Sequence, residues 1–359
     1  MSQINFNSRV TLDELRTLIP TIGKDLTVLV QSEPGCGKSS LLKMIEQDHG
    51  DAYDYIYVDC PAKDLGDIGL TIPDKDTKRL EFYVAELFKL DSDKPKVIML
   101  DEFMKSPKLL QIIFTRLMLE RMVGDAPLPD GSIVFATSNN ASDGVGDSML
   151  AHAANRVCIV EMQKPDARAW LKYATERGIS RIIRSWVELN PRCLASYRDG
   201  EQQDNPYIFN PSKPVLSFCS PRSLEKANAI VINRDVLGEN ATIAALSGTI
   251  GASAAKDMAT LMSLDKALPD VKKDICANPE TIAVPEQIAA QVMIMLQAVD
   301  VLETQDELSK FMKFIDRIPS AEIQAIFFTL MMRVTKAVRL AKNNKAICDW
   351  ARNNNEMFG

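Results

Sequence analysis

The chain has 359 residues, 46% hydrophobic and 25% charged, the balance of a folded protein with two or three packed units. A formal charge of −6 argues against a protein whose main task is neutralising phosphate backbones, and two distant histidines, His49 and His152, exclude a His-Glu-x-x-His zinc site. Seven cysteines without a C-x-x-C pair, no basic-then-apolar leader and no apolar run long enough for a bilayer predict a cytoplasmic protein in a reducing compartment.

In chain order, Thr11-Leu12-Asp13-Glu14 has capping-box spacing and predicts a short helix ahead of the first strand. Continuous β-branched runs at 26–30, 55–58, 97–100, 133–136 and 157–160 predict strands covered on both faces, hence a parallel sheet. Helical patterns lie between them; in 109–122, Leu110, Phe114, Leu117 and Arg121 recur at helical spacing. The alternation predicts a doubly wound α/β domain. After Met162 only helices are expected, first Asp166 to Arg177 with Gly178 closing it, then Ser180 to Leu189.

Residues 190–221 hold five of the 18 prolines (Pro191, Pro206, Pro211, Pro214 and Pro221) and predict a long loop of the kind that carries function or flexibility. Helix resumes at Ser220-Pro221, an N-cap followed by proline at the first helical position. Two amphipathic stripes follow. One is Ile288, Val292, Met295, Val299 and Leu302; the other is Ile323, Phe327, Leu330, Val334 and Val338. Methionines at helical spacing in this half are read as core filler.

The sharpest chemical signal is Ser32-Glu33-Pro34-Gly35-Cys36-Gly37-Lys38-Ser39, directly after the first predicted strand and before a helix, with Ser40 next. Glycines let successive N–H groups turn inward, forming a nest for β- and γ-phosphates at a helix N-terminus. Lys38 supplies a point charge to those phosphates, and the Ser39 hydroxyl is placed to ligate Mg²⁺. Ser32 stands where the motif G-x-x-x-x-G-K-[ST] has its first glycine, the position that touches phosphate least. At the end of the third predicted strand, 63 residues beyond Lys38, Asp101 and Glu102 emerge together. Asp101 would hold Mg²⁺ through water, and Glu102 would orient and deprotonate the attacking water. Asn139, ending the fourth strand, would hydrogen-bond that water and the γ-phosphate.

These elements, with two later arginines, resemble the AAA+ ATPases. Within them they resemble the MoxR-like group, whose phosphate loop is similar to 33–39 and whose sensor strand is similar to Ala136-Thr137-Ser138-Asn139. Asp64-Leu65-Gly66-Asp67-Ile68-Gly69-Leu70 and Ser220-Pro221-Arg222-Ser223 also resemble segments of that group. The likeness covers roughly residues 9–235 and weakens beyond.

The resemblance implies an α/β P-loop NTPase core of AAA+ type with a parallel sheet (1–162), an all-helical lid (163–265) and a C-terminal helical extension (266–359). It implies ATP and Mg²⁺ as cofactors, ATP hydrolysis, and a homo-oligomeric ring, most simply a hexamer. The implied partners are a protein client and a von Willebrand factor A domain protein; the acidic balance makes nucleic acid a poorer fit, and no membrane is implied.

Arg156, in Ala153-Ala154-Asn155-Arg156-Val157, stands where the family places an arginine finger that serves the neighbouring subunit. Asn155 and Val157 depart from the usual Asp-Arg-Phe, and Arg121 is the reserve. Arg222 opens a helix, where a cation is unfavourable unless an anion binds beside it, and corresponds to the second sensor. Residues 66–79 resemble the helix-2 insert and 124–131 a hairpin before the sensor strand; neither has the aromatic-plus-basic pattern that grips single strands. A DNA-acting motor or loader, a nucleotide-gated scaffold with little turnover, and guanine preference remain alternatives on sequence alone.

Overall fold

In this computed structural model, residues 9–140, 155–213, 215–342 and 344–354 are described. Of the positions named above, His152, Ala153, Ala154 and Pro214 lie outside the described residues. The chain divides into two compact units, Met1–Pro165 with Pro211–Lys213, and Asp166–Asn210 with Pro214–Gly359.

The first unit is α/β. Its strands are β1 (Val28–Ser32), β2 (Asp54–Asp59), β3 (Gly69–Asp74), β4 (Arg79–Val84), β5 (Lys96–Asp101), β6 (Met122–Val123), β7 (Ala126–Pro127), β8 (Ile133–Asn139) and β9 (Cys158–Glu161). Among the described residues its α-helices are α1 (Leu12–Ile22), α2 (Leu41–His49) and α3 (Lys108–Glu120). The main sheet runs β2-β5-β8-β1-β9 with every pairing parallel, as the unbroken apolar runs predict.

Successive side chains point to opposite faces. Leu29, Ile98, Leu100 and Val134 therefore join Phe114 and Leu117 of α3 in one apolar cluster. Val28, Val30, Val97, Met99 and Phe135 join Leu15 and Ile19 of α1 and Ile45 of α2 in another. All six residues of β5 are buried, as expected of an inner strand flanked by β2 and β8. Thr11 and Glu14 form the expected reciprocal cap of α1.

Two small hairpins stand outside the main sheet. β6 and β7 pair around Gly124, so that the hairpin expected at 124–131 starts two residues earlier, at Met122. β3 and β4 form a longer antiparallel hairpin with Gly69 opposite Val84 and Asp74 opposite Arg79. Its tight side is set by Gly69, where a Cβ would come within 2.5 Å of the Phe82 ring and of the Tyr83 carbonyl oxygen. Leu70, Ile72 and Tyr83 project from the hairpin face away from Phe82 and are exposed.

The second unit is helical. It holds α4 (Ala167–Glu176), α5 (Arg181–Leu189), α6 (Pro221–Ile232), α7 (Arg234–Ile250), α8 (Ala252–Asp265), α9 (Ile288–Val301), α10 (Gln305–Ile315), α11 (Ala321–Met332), α12 (Thr335–Ala341) and α13 (Lys345–Asn353), with a π-helical turn at Val271–Ile275. Asp166, Ser180 and Ser220 cap α4, α5 and α6, each accepting a backbone N–H of the first turn. One apolar core gathers residues from α4 to α8, and a second gathers Val271 to Trp350.

The two stripes read from the sequence need correction. Ten consecutive residues of α9, Ala290 to Val299, are buried, so this helix is enclosed on all sides and is not a surface amphipathic helix. The second stripe is not continuous. α11 stops at Met332, Val334 is extended (φ −119°), and Val338 belongs to α12. Among the described residues no helix is long and apolar enough to cross a membrane.

Candidate nucleotide site

The loop after β1 and the ends of β5 and β8 meet at the C-terminal end of the main sheet. In an open parallel sheet the backbone N–H groups and side chains beyond these ends face a common crevice, and ligands bind there.

The loop after β1 turns on two glycines with left-handed backbone, Gly35 (φ 77°) and Gly37 (φ 99°), a conformation that a Cβ would strain. A 3-10 turn at Lys38–Ser40 leads directly into α2, so the loop opens onto a helix start. Lys38 is buried. Its Nζ donates to the Ser32 hydroxyl at 2.9 Å, to the Ser32 and Glu33 carbonyl oxygens at 3.1 and 3.2 Å, and to Oδ1 of Asn139 at 3.0 Å. Ser32, at the position of the motif's first glycine, thus contributes a hydroxyl and a carbonyl to the lysine. Asn140 N–H also donates to the Ser32 carbonyl at 3.3 Å, closing β8 against the loop.

The Ser39 hydroxyl donates to Oδ2 of Asp101 at 2.9 Å. Asp101 is buried, and two further hydroxyls hold it. Tyr57 donates to Oδ2 at 2.8 Å, and Thr137 donates to Oδ1. Burial, and next the contact with Asp101, push the Tyr57 phenol above its ordinary range, so it stays a donor. Sequence reasoning missed both Tyr57 and Thr137. A register would have found them: Asp59 of β2 pairs with Asp101, and Leu100 pairs with Ala136, which brings both hydroxyls beside the carboxylate.

The Ser39–Asp101 pair offers oxygen donors only, the set a hard divalent cation such as Mg²⁺ takes. Among the described residues no three His, Cys, Asp or Glu side chains are grouped to hold a metal. Phosphate and water are the usual further ligands of Mg²⁺ at nucleotide sites.

Glu102 adopts the left-handed region (φ 52°, ψ 35°), costly for a residue with a side chain and common where a group must be aimed. Its N–H donates to the Thr137 hydroxyl at 3.2 Å, and Lys105 Nζ contacts its carboxylate at 2.7 Å. The first-unit residues singled out at this sheet edge fall into two hydrogen-bonded groups, Lys38 with Asn139, and Ser39 with Asp101, which Thr137 ties to the Glu102 backbone. Cys36 is buried inside the loop, and desolvation pushes its thiol up to about 11.

The arginines sort by position. Arg156 is exposed and lies just before β9, whose Cys158 is in register with Val28 at the start of β1. The phosphate loop begins four strand positions later, about 13 Å along the sheet. Arg156 therefore stands at the far end of the sheet from its own chain's loop. Arg121, the reserve, is half-buried near the same far end. Its guanidinium donates to the Thr27 hydroxyl at 2.8 Å, the Gly23 carbonyl at 2.9 Å and the Met118 carbonyl, and desolvation lowers its pKa. That is a tie holding α3 and the end of α1 to the root of β1. Arg222 is exposed in the first turn of α6, in the helical unit.

No family model matches the chain, and no curated protein matches it. Among solved structures, the chain is similar to a candidate ATPase from Cytophaga hutchinsonii at 14% identity and a TM-score of 0.34, covering 91% of each chain. It is also similar to a point-substituted RuvB of Thermotoga maritima at 13% identity and a TM-score of 0.34, covering 78% of this chain and 79% of that one.

Proposed function

We propose that the chain is an ATP-hydrolysing P-loop enzyme of AAA+ type, with the MoxR-like group as its nearest functional pattern. One observation carries this reading: Lys38 is held between Ser32 and Asn139 while Ser39 meets Asp101, all at the edge of the sheet where the glycine loop opens onto a helix. That arrangement has what phosphoryl transfer asks of a protein, namely positioning and charge stabilisation.

In this reading the loop of residues 33–40, through the N–H groups of all but Pro34, and the Lys38 ammonium bind the β- and γ-phosphates. Ser39, and Asp101 through water, would hold Mg²⁺, which would neutralise phosphate charge. Tyr57 and Thr137 fix the Asp101 carboxylate in its orientation. Glu102 accepts a proton from the attacking water, and Asn139 orients that water against the γ-phosphate. Arg156, remote from its own loop, serves the site of a neighbouring protomer, which makes the working form a ring, most simply a hexamer. Arg222 takes the second-sensor role from the helical unit. ATP turnover then drives remodelling of a protein client together with a von Willebrand factor A domain partner, as in MoxR-like ATPases, in the cytoplasm.

The direct test is steady-state release of phosphate from ATP and from GTP by the purified chain with Mg²⁺. Turnover of ATP that disappears in Lys38→Ala supports the reading; absence of both nucleotide binding and turnover in the wild type overturns it.

A further inference from the structure

Beyond β9 the chain continues beside β1 for a few residues. Gln31 and Glu161 are in register, and the Met162 N–H donates to the Gln31 carbonyl at 2.7 Å. Two residues beyond Gln31 and two beyond Met162 stand Glu33 in the phosphate loop and Lys164 after β9. Lys164 Nζ lies 3.6 Å from Oε2 of Glu33, with the side chains only 4% and 5% exposed.

A buried carboxylate is out of place in a loop whose task is to receive a polyanion. Charges removed from water act on one another strongly, so an uncompensated Glu33 would oppose every phosphate entering the nest. The Cys36 thiol, between Glu33 and Lys38 in the chain, is affected by Lys164, Glu33 and Lys38 alike, so these charges act within one small volume.

We infer that Lys164 is a positioning residue for nucleotide binding: it cancels the Glu33 carboxylate inside the phosphate loop and so sets the loop's affinity for phosphate charge. This rests on the nucleotide reading above. Among the described residues two lysines reach the loop, Lys38 within the motif and Lys164 from the neighbouring strand's extension, and only the first is visible in a motif.

The test is calorimetric binding of ATP, ADP and AMP to the full chain with Mg²⁺. Lys164→Met is expected to weaken ATP by about tenfold or more, ADP by less and AMP least, because the penalty follows phosphate charge. Lys164→Arg should bind as the wild type does. Adding Glu33→Gln to Lys164→Met should bring ATP affinity back to within about threefold, because both charges are then gone. Equal losses for the three nucleotides, as a purely structural lysine would give, overturn the inference. So does unchanged ATP affinity in Lys164→Met while the wild type binds. If Lys164→Met does not fold, the neutral double variant decides, with retained ATP affinity supporting the inference and lost affinity overturning it. A wild type that binds none of the three nucleotides removes the nucleotide reading and this inference together.

Discussion

The Lys38 ammonium lies 3.0 Å from Oδ1 of Asn139, across 101 residues of sequence, so the phosphate loop and the end of β8 share one charge. A γ-phosphate bound by Lys38 would be within reach of Asn139. Asn139→Ala is expected to slow hydrolysis by about 10²-fold with little change in ATP affinity, whereas Lys38→Ala should abolish tight binding itself. Single-turnover hydrolysis and equilibrium binding, measured side by side, separate the two outcomes.

Glu102→Gln keeps the shape and the Thr137 contact but removes the proton acceptor. Binding of ATP should persist and assembled rings should accumulate, while turnover falls by roughly 10²–10⁴-fold. Analytical ultracentrifugation with ATP and a phosphate-release assay report the two effects. Chelating the divalent cation should stop hydrolysis in the wild type as well.

Arg156 and Arg121 should fail in different ways. Arg156→Ala is expected to bind ATP and hydrolyse it about 10³-fold or more slowly, and mixing it with Lys38→Ala subunits should restore part of the activity. Lack of recovery in such mixtures counts against a group acting in trans. Arg121→Ala loses a half-buried set of hydrogen bonds at the root of β1. It should cost about 1–3 kcal/mol of stability in chemical denaturation and leave the hydrolysis rate of the folded protein close to normal.

The thiol in the phosphate loop should be chemically quiet. With the Cys36 pKa near 11, only about one thiol in a thousand is thiolate at pH 8, and the side chain is buried besides. Iodoacetamide at pH 8 should label the exposed Cys348 and leave Cys36 unmodified until the protein is denatured. Peptide mass mapping of the native, labelled chain is the measurement.

The five strands of the main sheet were legible because each holds a continuous apolar run, those of β1, β5 and β8 buried on both faces, and the loop after β1 because glycine spacing specifies backbone shape locally. The grip of Tyr57 and Thr137 on Asp101 was not. It depends on which strand lies beside which, and a sequence carries no direct mark of register. The β3–β4 hairpin escaped because its side chains are largely exposed, so no burial pattern sets them apart from a charged loop. Arg121 sits at helical spacing with Leu117, yet only the fold reveals that its guanidinium turns toward Thr27 and Gly23. α9 misled for the opposite reason: an apolar stripe is visible, but the Ala, Gln and Met residues between its members read as a solvent face until other helices are seen to cover them.

The enclosed α9 has a consequence for any attempt to shorten this chain. Met293 packs into the core built from residues 167–262, and Asp300 accepts the guanidinium of Arg184 on α5. A truncation near residue 265 would strip that lining away, opening greasy surface and stranding a cation on a helix whose own fold depends on the missing piece. The last ninety or so residues are thus less an appendage than the keystone of the helical half, and shortened versions should be recovered from inclusion bodies rather than from solution.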